Sequence, residues 1–237
     1  MSAARGPTVA LLVVCGLEVE ARLVTDPDVR TIAGGGDRHA LAATIHRHLD
    51  DGAVGIMSFG LAGGLDPSLR AGSLVVPEAI VHRDGREPVD PRWMAALRRA
   101  LPDAAPGTMA GSNGAVASAD AKHALWRATG ACAVDMESHV AARIARERGI
   151  PFVALRAISD TADHSLPAAA LVAMRPDGRI DMTAVLRSVA RRPGQIPGLV
   201  RLAVETRSAL RGLRLGLGLL GARLGHADLD ELPVDVI

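Results

Sequence analysis

Three stretches of this chain are apolar at consecutive positions: "TVALLVVCG" (8–16), "AVGIMSFG" (53–60) and "PFVALRAIS" (151–159). A strand with one wet face alternates apolar and polar residues, so unbroken runs of this kind belong to strands covered on both sides. Helix-like segments lie between them. Asp37 can cap a helix running to about Leu49, with Leu41, Ile45 and Leu49 on one stripe. "DPRWMAALRRAL" (90–101), "DAKHALWRAT" (120–129) and "MESHVAARIARER" (135–148 with its preceding Asp) read as further helices. Gly149 and Pro151 stop the last of these. "GSLVVPEAIV" reads as one more strand, placed by Pro77 at an edge or bulge, and "LAGGLDP" reads as a tight loop. Strands alternating with helices predict an α/β sheet with helices on both faces. No linker or repeat interrupts the chain before about residue 180, so 1–237 is read as one domain, with 184–237 a C-terminal helical extension.

Composition excludes several classes. The 237 residues are 49% hydrophobic and 22% charged with a net charge of +1, which describes a globular protein without an electrostatic case for nucleic acid. Tyr is absent and Phe occurs only at 59 and 152, which leaves no aromatic platform for stacking bases. Lys122 is the only lysine, a bias in keeping with the abundance of alanine, glycine and proline. Cys15 and Cys132 lack metal-ligand spacing and read as small buried hydrophobes in a reducing, cytoplasmic setting. Glu18 and Glu20 follow the first apolar run directly, against a secretion signal, and no run reaches the ~18 apolar residues of a membrane span. His39, His46 and His48 read as a solvated helix face rather than a metal site. Ser58 has no matching His–Asp arrangement for a serine hydrolase.

Four segments end expected strands in small or acidic residues: "CGLEVE", "FGLAGGL", "VDMES" and "RAISDTAD". Ligands of open α/β sheets bind beyond the carboxyl ends of the strands. Convergence of these ends would place Glu20, Glu137 and Asp160 in one pocket.

In that order, the segments resemble the nucleoside phosphorylase and nucleosidase superfamily, with the methylthioadenosine/adenosylhomocysteine nucleosidases the nearest pattern, from about Thr8 to Asp163. The resemblance implies a three-layer αβα sandwich around a mixed, partly barrel-like sheet, and cleavage of a purine–ribose bond. It assigns Asp160 as the acid that protonates the departing purine, with Ser159 orienting it, and Glu20 as the residue that activates water. It assigns Glu137 to the ribose hydroxyls, Met136 to the floor under the sugar and Gly63 to the central loop. Protonation is needed because adenine is a poor leaving group as an anion, and burial beside Glu137 would raise the pKa of such an acid. No metal or organic cofactor is required.

Departures from the pattern narrow the reading. The phosphorylases' phosphate-binding arginine is replaced by Ser58, and the nucleosidases' loop hydroxyl by Leu61. Phosphate as co-substrate would then depend on an arginine such as Arg22 or Arg38. In "SNGAVAS" (112–118) the purine-stacking phenylalanine is absent, leaving Val116 against the base and Asn113 for its edge. From Pro197 to Leu224, leucines and arginines occupy different faces of one helix, which suits either core or subunit packing or an anionic membrane surface. This tail and "FGLAGGLDPSLRAGSLVVPE" resemble the hopanoid-associated phosphorylase branch, which implies adenosylhopane as a lipid-linked substrate. The alternatives are a methylthioadenosine/adenosylhomocysteine nucleosidase, a phosphate-dependent purine nucleoside phosphorylase and, last, a non-catalytic nucleoside-binding module. The resemblance also implies a homo-oligomer.

Overall fold

The computed structural model describes residues 11–173, 175 and 178–226. Residues 8–10 of the expected first strand and 227–237 of the expected extension lie outside them. The elements, in order, are β1 (Leu11–Cys15), α1 (Glu18–Ala21), β2 (Val29–Ala33), α2 (Arg38–Asp50), β3 (Gly55–Gly64), β4 (Leu74–Val75), β5 (Ala79–His82), β6 (Gly85–Pro88) and α3 (Pro91–Ala100). They continue with β7 (Thr108–Gly111), α4 (Ala119–Thr129), β8 (Ala133–Asp135), α5 (Ser138–Arg148), β9 (Phe152–Asp160), α6 (Ala168–Leu171), α7 (Met182–Arg191) and α8 (Ile196–Leu220).

The strands form one mixed sheet in the order β2-β1-β3-β8-β7-β5-β6, with β9 against β3 and β4 against β9. β3 is its spine. Its first half pairs in parallel with β1, its last two residues pair antiparallel with β8, and β9 runs parallel along its other side. A strand that changes neighbour part-way bends the sheet towards a barrel. The unbroken apolar runs are explained by two cores. Leu12, Val14, Ile45, Val140 and Ile144 fill one side of the sheet, under α2 and α5. Leu11, Val13, Trp93, Leu97, Ala209 and Leu213 fill the other, under α3 and α8. The architecture is therefore three layers of helix, sheet and helix.

Several sequence expectations are corrected. Residues 61–64 of the expected loop are instead the end of β3, because β9 and β8 supply backbone partners on both edges. "GSLVVPEAIV" is two strands, interrupted where Pro77 has no N–H to give to a ladder. "VRTIA" (29–33), half-exposed and without a run of large apolar residues, forms a strand that the pattern hid.

Within the C-terminal extension, α8 packs into the core. α8 is continuous despite four glycines, and two of these let it approach the sheet. A methyl on Gly212 would lie 2.8 Å from the Gly72 carbonyl, and one on Gly216 would lie 3.1 Å from Leu74 Cδ1. Leu213 and Leu220 are buried, each adding ~1.5–3 kcal/mol of hydrophobic stabilisation as an upper estimate. Beyond the helix, the Leu224 carbonyl accepts a hydrogen bond from Trp93 Nε1 at 2.9 Å, and His226 meets the same indole edge-on at 4.9 Å. Among the described residues, no helix is long and apolar enough to cross a membrane.

Candidate active site

Each of the three acids is placed by a different strand end. Glu20 sits in the single turn of α1 after β1. Its Oε2 accepts from the backbone N–H of Gly16 (2.8 Å) and Leu17 (2.9 Å), and its Oε1 accepts from Leu61 N–H at 2.9 Å. Glu137 follows β8 as the residue capping α5. Asp160 ends β9, where the register against β3 slips by one residue so that Gly63 faces Asp160 and Ser159 is left over. Such a slip re-aims the side chains beyond it.

The acids are buried against backbone that has no side chain to displace them. A methyl on Gly16 would lie 3.2 Å from the Glu137 carboxyl, and one on Gly63 3.3 Å from Asp160 Oδ2. At Gly60, with φ at +147°, a methyl would fall 2.6 Å from Glu20 Cδ. All three carboxyls line one cavity of about 640 Å³, together with Met136, Gly63, Ser159, Ala115 and Val116. The residues expected to meet there do so, with one exception. Asn113 faces a neighbouring, larger cleft lined by Arg38 and His139, and its amide oxygen lies 3.1 Å from His139 Nε2. Asn113 is therefore not a lining residue of the acid cavity.

Behind the cavity lies a buried cation. Arg156 Nη2 contacts Asp135 Oδ2 at 2.5 Å and Glu137 Oε2 at 3.9 Å, and donates to Ser58 Oγ at 2.5 Å. Ser138 Oγ bridges Ser58 (2.9 Å) and Asp135 (2.5 Å). Ser58 is thus bound into this network instead of opening a phosphate site. The arginines considered for phosphate lie elsewhere: Arg22 pairs with Glu18 at 2.7 Å on the surface, and Arg38 lines the other cleft.

Burial dominates the electrostatics. It raises the Glu20 carboxyl, while Arg156 and the three backbone N–H donors oppose it. Burial, reinforced by Asp135 and offset by Arg156, pushes Glu137 up to about 8. Burial also works against the charge of Arg156, but Asp135, Glu137 and Glu20 together outweigh it and hold the guanidinium protonated. The site can therefore hold a proton on a carboxyl facing the cavity while keeping a fixed positive charge behind it.

Sequence reasoning missed three members. Asp135 was visible as the acid inside "VDMES", and Arg156 as the cation opening "RAISD", but nothing local reveals that they pair. Lys122 was visible only as the sole lysine. Its ammonium reaches Asp160 Oδ2 in a close ion pair from α4. The rest of the cavity wall comes from α6, α7, α8 and the segments beside them, through Leu166, Ile180, Met182, Leu199 and Leu202, with Arg207 as the charged residue of that wall.

A mixed sheet that gathers three carboxyls at its strand ends around an open cavity defines a small-molecule-binding α/β domain. The chain belongs to the Phosphorylase superfamily, whose family model matches residues 29–191. It is 33% identical over 130 residues to the 5′-methylthioadenosine/S-adenosylhomocysteine nucleosidase of Geobacillus kaustophilus. That match covers 45% of this chain and 55% of the relative, so it spans about half the relative's length. The fold is similar to the S-adenosylhomocysteine nucleosidase of Streptococcus pyogenes, solved with 5-methylthiotubericidin, at a TM-score of 0.65 and 18% identity, over 95% of this chain and 98% of that one. It is also similar to the futalosine hydrolase of Helicobacter pylori, at a TM-score of 0.64 and 16% identity, over 96% and 100% of the two chains.

Proposed function

We propose that this protein cleaves the N-glycosidic bond of an adenosyl compound with a large apolar 5′ substituent, adenosylhopane being the substrate the sequence resemblance names. One observation carries this reading: Glu20, Glu137 and Asp160 line a cavity whose remaining wall, called the funnel below, is mostly apolar. In this mechanism Asp160 gives a proton to the purine as the bond breaks, which spares the base from leaving as an anion. Glu137 accepts hydrogen bonds from the ribose hydroxyls, and Met136 packs beneath the sugar. Glu20, held by three backbone donors, takes a proton from water that attacks the anomeric carbon. The negative side chains also favour the oxocarbenium-like sugar. Adenine lies against Ala115 and Val116. Water rather than phosphate is the nucleophile, supported by the engagement of Ser58 in the Arg156 network.

The apolar wall continues onto the surface. Among the described residues, eight of the twelve large exposed hydrophobics fall between Leu171 and Val204, on the elements that form the funnel. Arg187, Arg191, Arg192 and Arg201 are exposed among them. This combination supports contact between the funnel mouth and an anionic bilayer, from which a lipid-linked substrate would enter.

The reading is tested by adenine release from adenosylhopane in detergent micelles, from methylthioadenosine, and from 5′-alkylthioadenosines of increasing chain length, with and without phosphate. Rates that climb with chain length and ignore phosphate support it. Faster turnover of methylthioadenosine than of every long-chain compound would remove the apolar substrate, and strict dependence on phosphate would remove water.

A further inference from the structure

Asp160 is the group closest to the departing base in the proposed reaction, yet it is not an isolated acid. Lys122, fully buried, donates from Nζ to Asp160 Oδ2, to the Thr161 carbonyl at 2.8 Å and to the His164 carbonyl at 2.8 Å. These acceptors match the three N–H bonds of an ammonium. Ser159 Oγ donates to the other carboxyl oxygen, Oδ1, at 2.8 Å. Lys122 is not a lining residue of the cavity, whereas Asp160 is. The order from the protein interior outward is therefore ammonium, carboxyl, cavity.

This order poses a chemical problem. A carboxylate paired with an ammonium carries no proton to give, and an uncharged purine ring nitrogen is itself a hydrogen-bond acceptor. The missing proton is on the lysine. Arginine, which supplies the other 26 of the chain's 27 lysine and arginine side chains, stays charged under all ordinary conditions, whereas a lysine ammonium can take part in proton transfer. We propose that Lys122 is a positioning residue that supplies, through Asp160, the proton the purine takes as it departs. This inference rests on the purine-cleavage reading above.

The step balances. As the sugar–purine bond breaks, its electron pair moves onto the base. One proton moves from Lys122 Nζ onto the Asp160 carboxylate and on from that carboxyl to the purine nitrogen. The products are a neutral purine, a carboxylate at Asp160 and a neutral amine at Lys122. Once the base has left, a solvent proton entering the open cavity returns through Asp160 to the amine. The proton that Glu20 removes from water is released to solvent, so each cycle consumes one water and no net proton.

The test uses two probes that share a 5′-decylthio group: 5′-decylthioadenosine, and the matching 4-nitrophenyl riboside, whose phenolate leaves without a proton. Lys122→Arg keeps the positive charge but withholds the proton; Lys122→Ala removes both. On the adenosine probe both variants are expected to lose about 10²- to 10⁴-fold in kcat, the usual worth of general acid catalysis, with KM nearly unchanged. On the nitrophenyl probe both stay within a few-fold of wild type. Methylammonium added to Lys122→Ala restores adenine release, and guanidinium does not. Wild-type adenine release by Lys122→Arg, or equal rescue by guanidinium, would show that charge alone suffices and overturn the relay while leaving the proposed function standing. Equal losses on both probes would reduce Lys122 to a packing role. Wild-type protein that releases nitrophenolate but no adenine from any adenosyl compound would remove the purine reading, and the relay with it.

Discussion

Glu20 and Arg156 press on the same point of the backbone. A methyl group on Gly60 would lie 2.6 Å from Glu20 Cδ and 2.8 Å from Arg156 Nη1, at a φ of +147° that other residues rarely adopt. Gly60→Ala is therefore expected to cost about 1–3 kcal/mol in backbone strain alone, and to displace the carboxyl that the N–H of Leu61 holds. Denaturant unfolding measures the first effect. Adenine release measures the second, with a loss of about 10²-fold or more expected from a misplaced catalytic group. Wild-type turnover by a folded Gly60→Ala protein would mean that Glu20 needs no fixed position.

Stability should depend on pH through the same cavity. Glu20 and Glu137 are both raised by burial, Glu137 to about 8 from an ordinary 4.5. An acid raised in the folded state binds its proton more tightly there than in the unfolded chain. Its stabilising effect is complete below the unfolded value and disappears as pH climbs through the folded one. The empty wild-type protein is expected to lose melting temperature between about pH 4.5 and 8, and Glu137→Gln to lose less over the same window. Parallel profiles for the two proteins would show that Glu137 does not hold its proton in the fold.

The funnel makes a prediction about substrate choice. Met182 and Leu202 line it from α7 and α8, elements that carry none of the three acids. Replacing both with alanine should lower kcat/KM for 5′-decylthioadenosine by about 10- to 200-fold, the scale on which apolar pockets discriminate. Methylthioadenosine, too short to reach them, should be cleaved at the wild-type rate. Equal effects on the two compounds would place the 5′ substituent elsewhere.

Vesicle binding can be read directly. Met182, Leu186, Val200 and Val204 are between 58% and 65% exposed, and serine at all four positions should release the protein from anionic vesicles in a sedimentation assay. Glutamate at Arg187 and Arg191 should do the same, and salt should weaken wild-type binding. Equal sedimentation with neutral and anionic vesicles would remove the charge argument.

The layers and most helices were legible because each expresses a period. Leu12 and Val14 face one core while Leu11 and Val13 face the other, which is why the run never alternates. Helix ends were legible where a cap is written locally, as Asp37 accepting from His39 and Ala40 N–H. The acid set was legible because three strand ends carry it, although separation along the chain says nothing of distance. What escaped detection depended on partners remote in sequence. Residues 61–64 looked like a loop until β8 and β9 supplied hydrogen bonds. The pairing of Lys122 with Asp160, and of Asp135 with Arg156, has no local signature. The fit of the α8 glycines has no local signature either, because the surface they pack against lies some 140 residues earlier.

The indole of Trp93 shows when this molecule can be finished. Its ring is sealed by Leu224 and His226, residues that leave the ribosome long after the sheet has been synthesised. A nascent chain halted before α8 would carry an open, oily flank where Leu97, Val153 and Leu155 should be covered. For such a chain, chaperone dependence would last until α8 and the residues up to His226 had followed the sheet out of the ribosome.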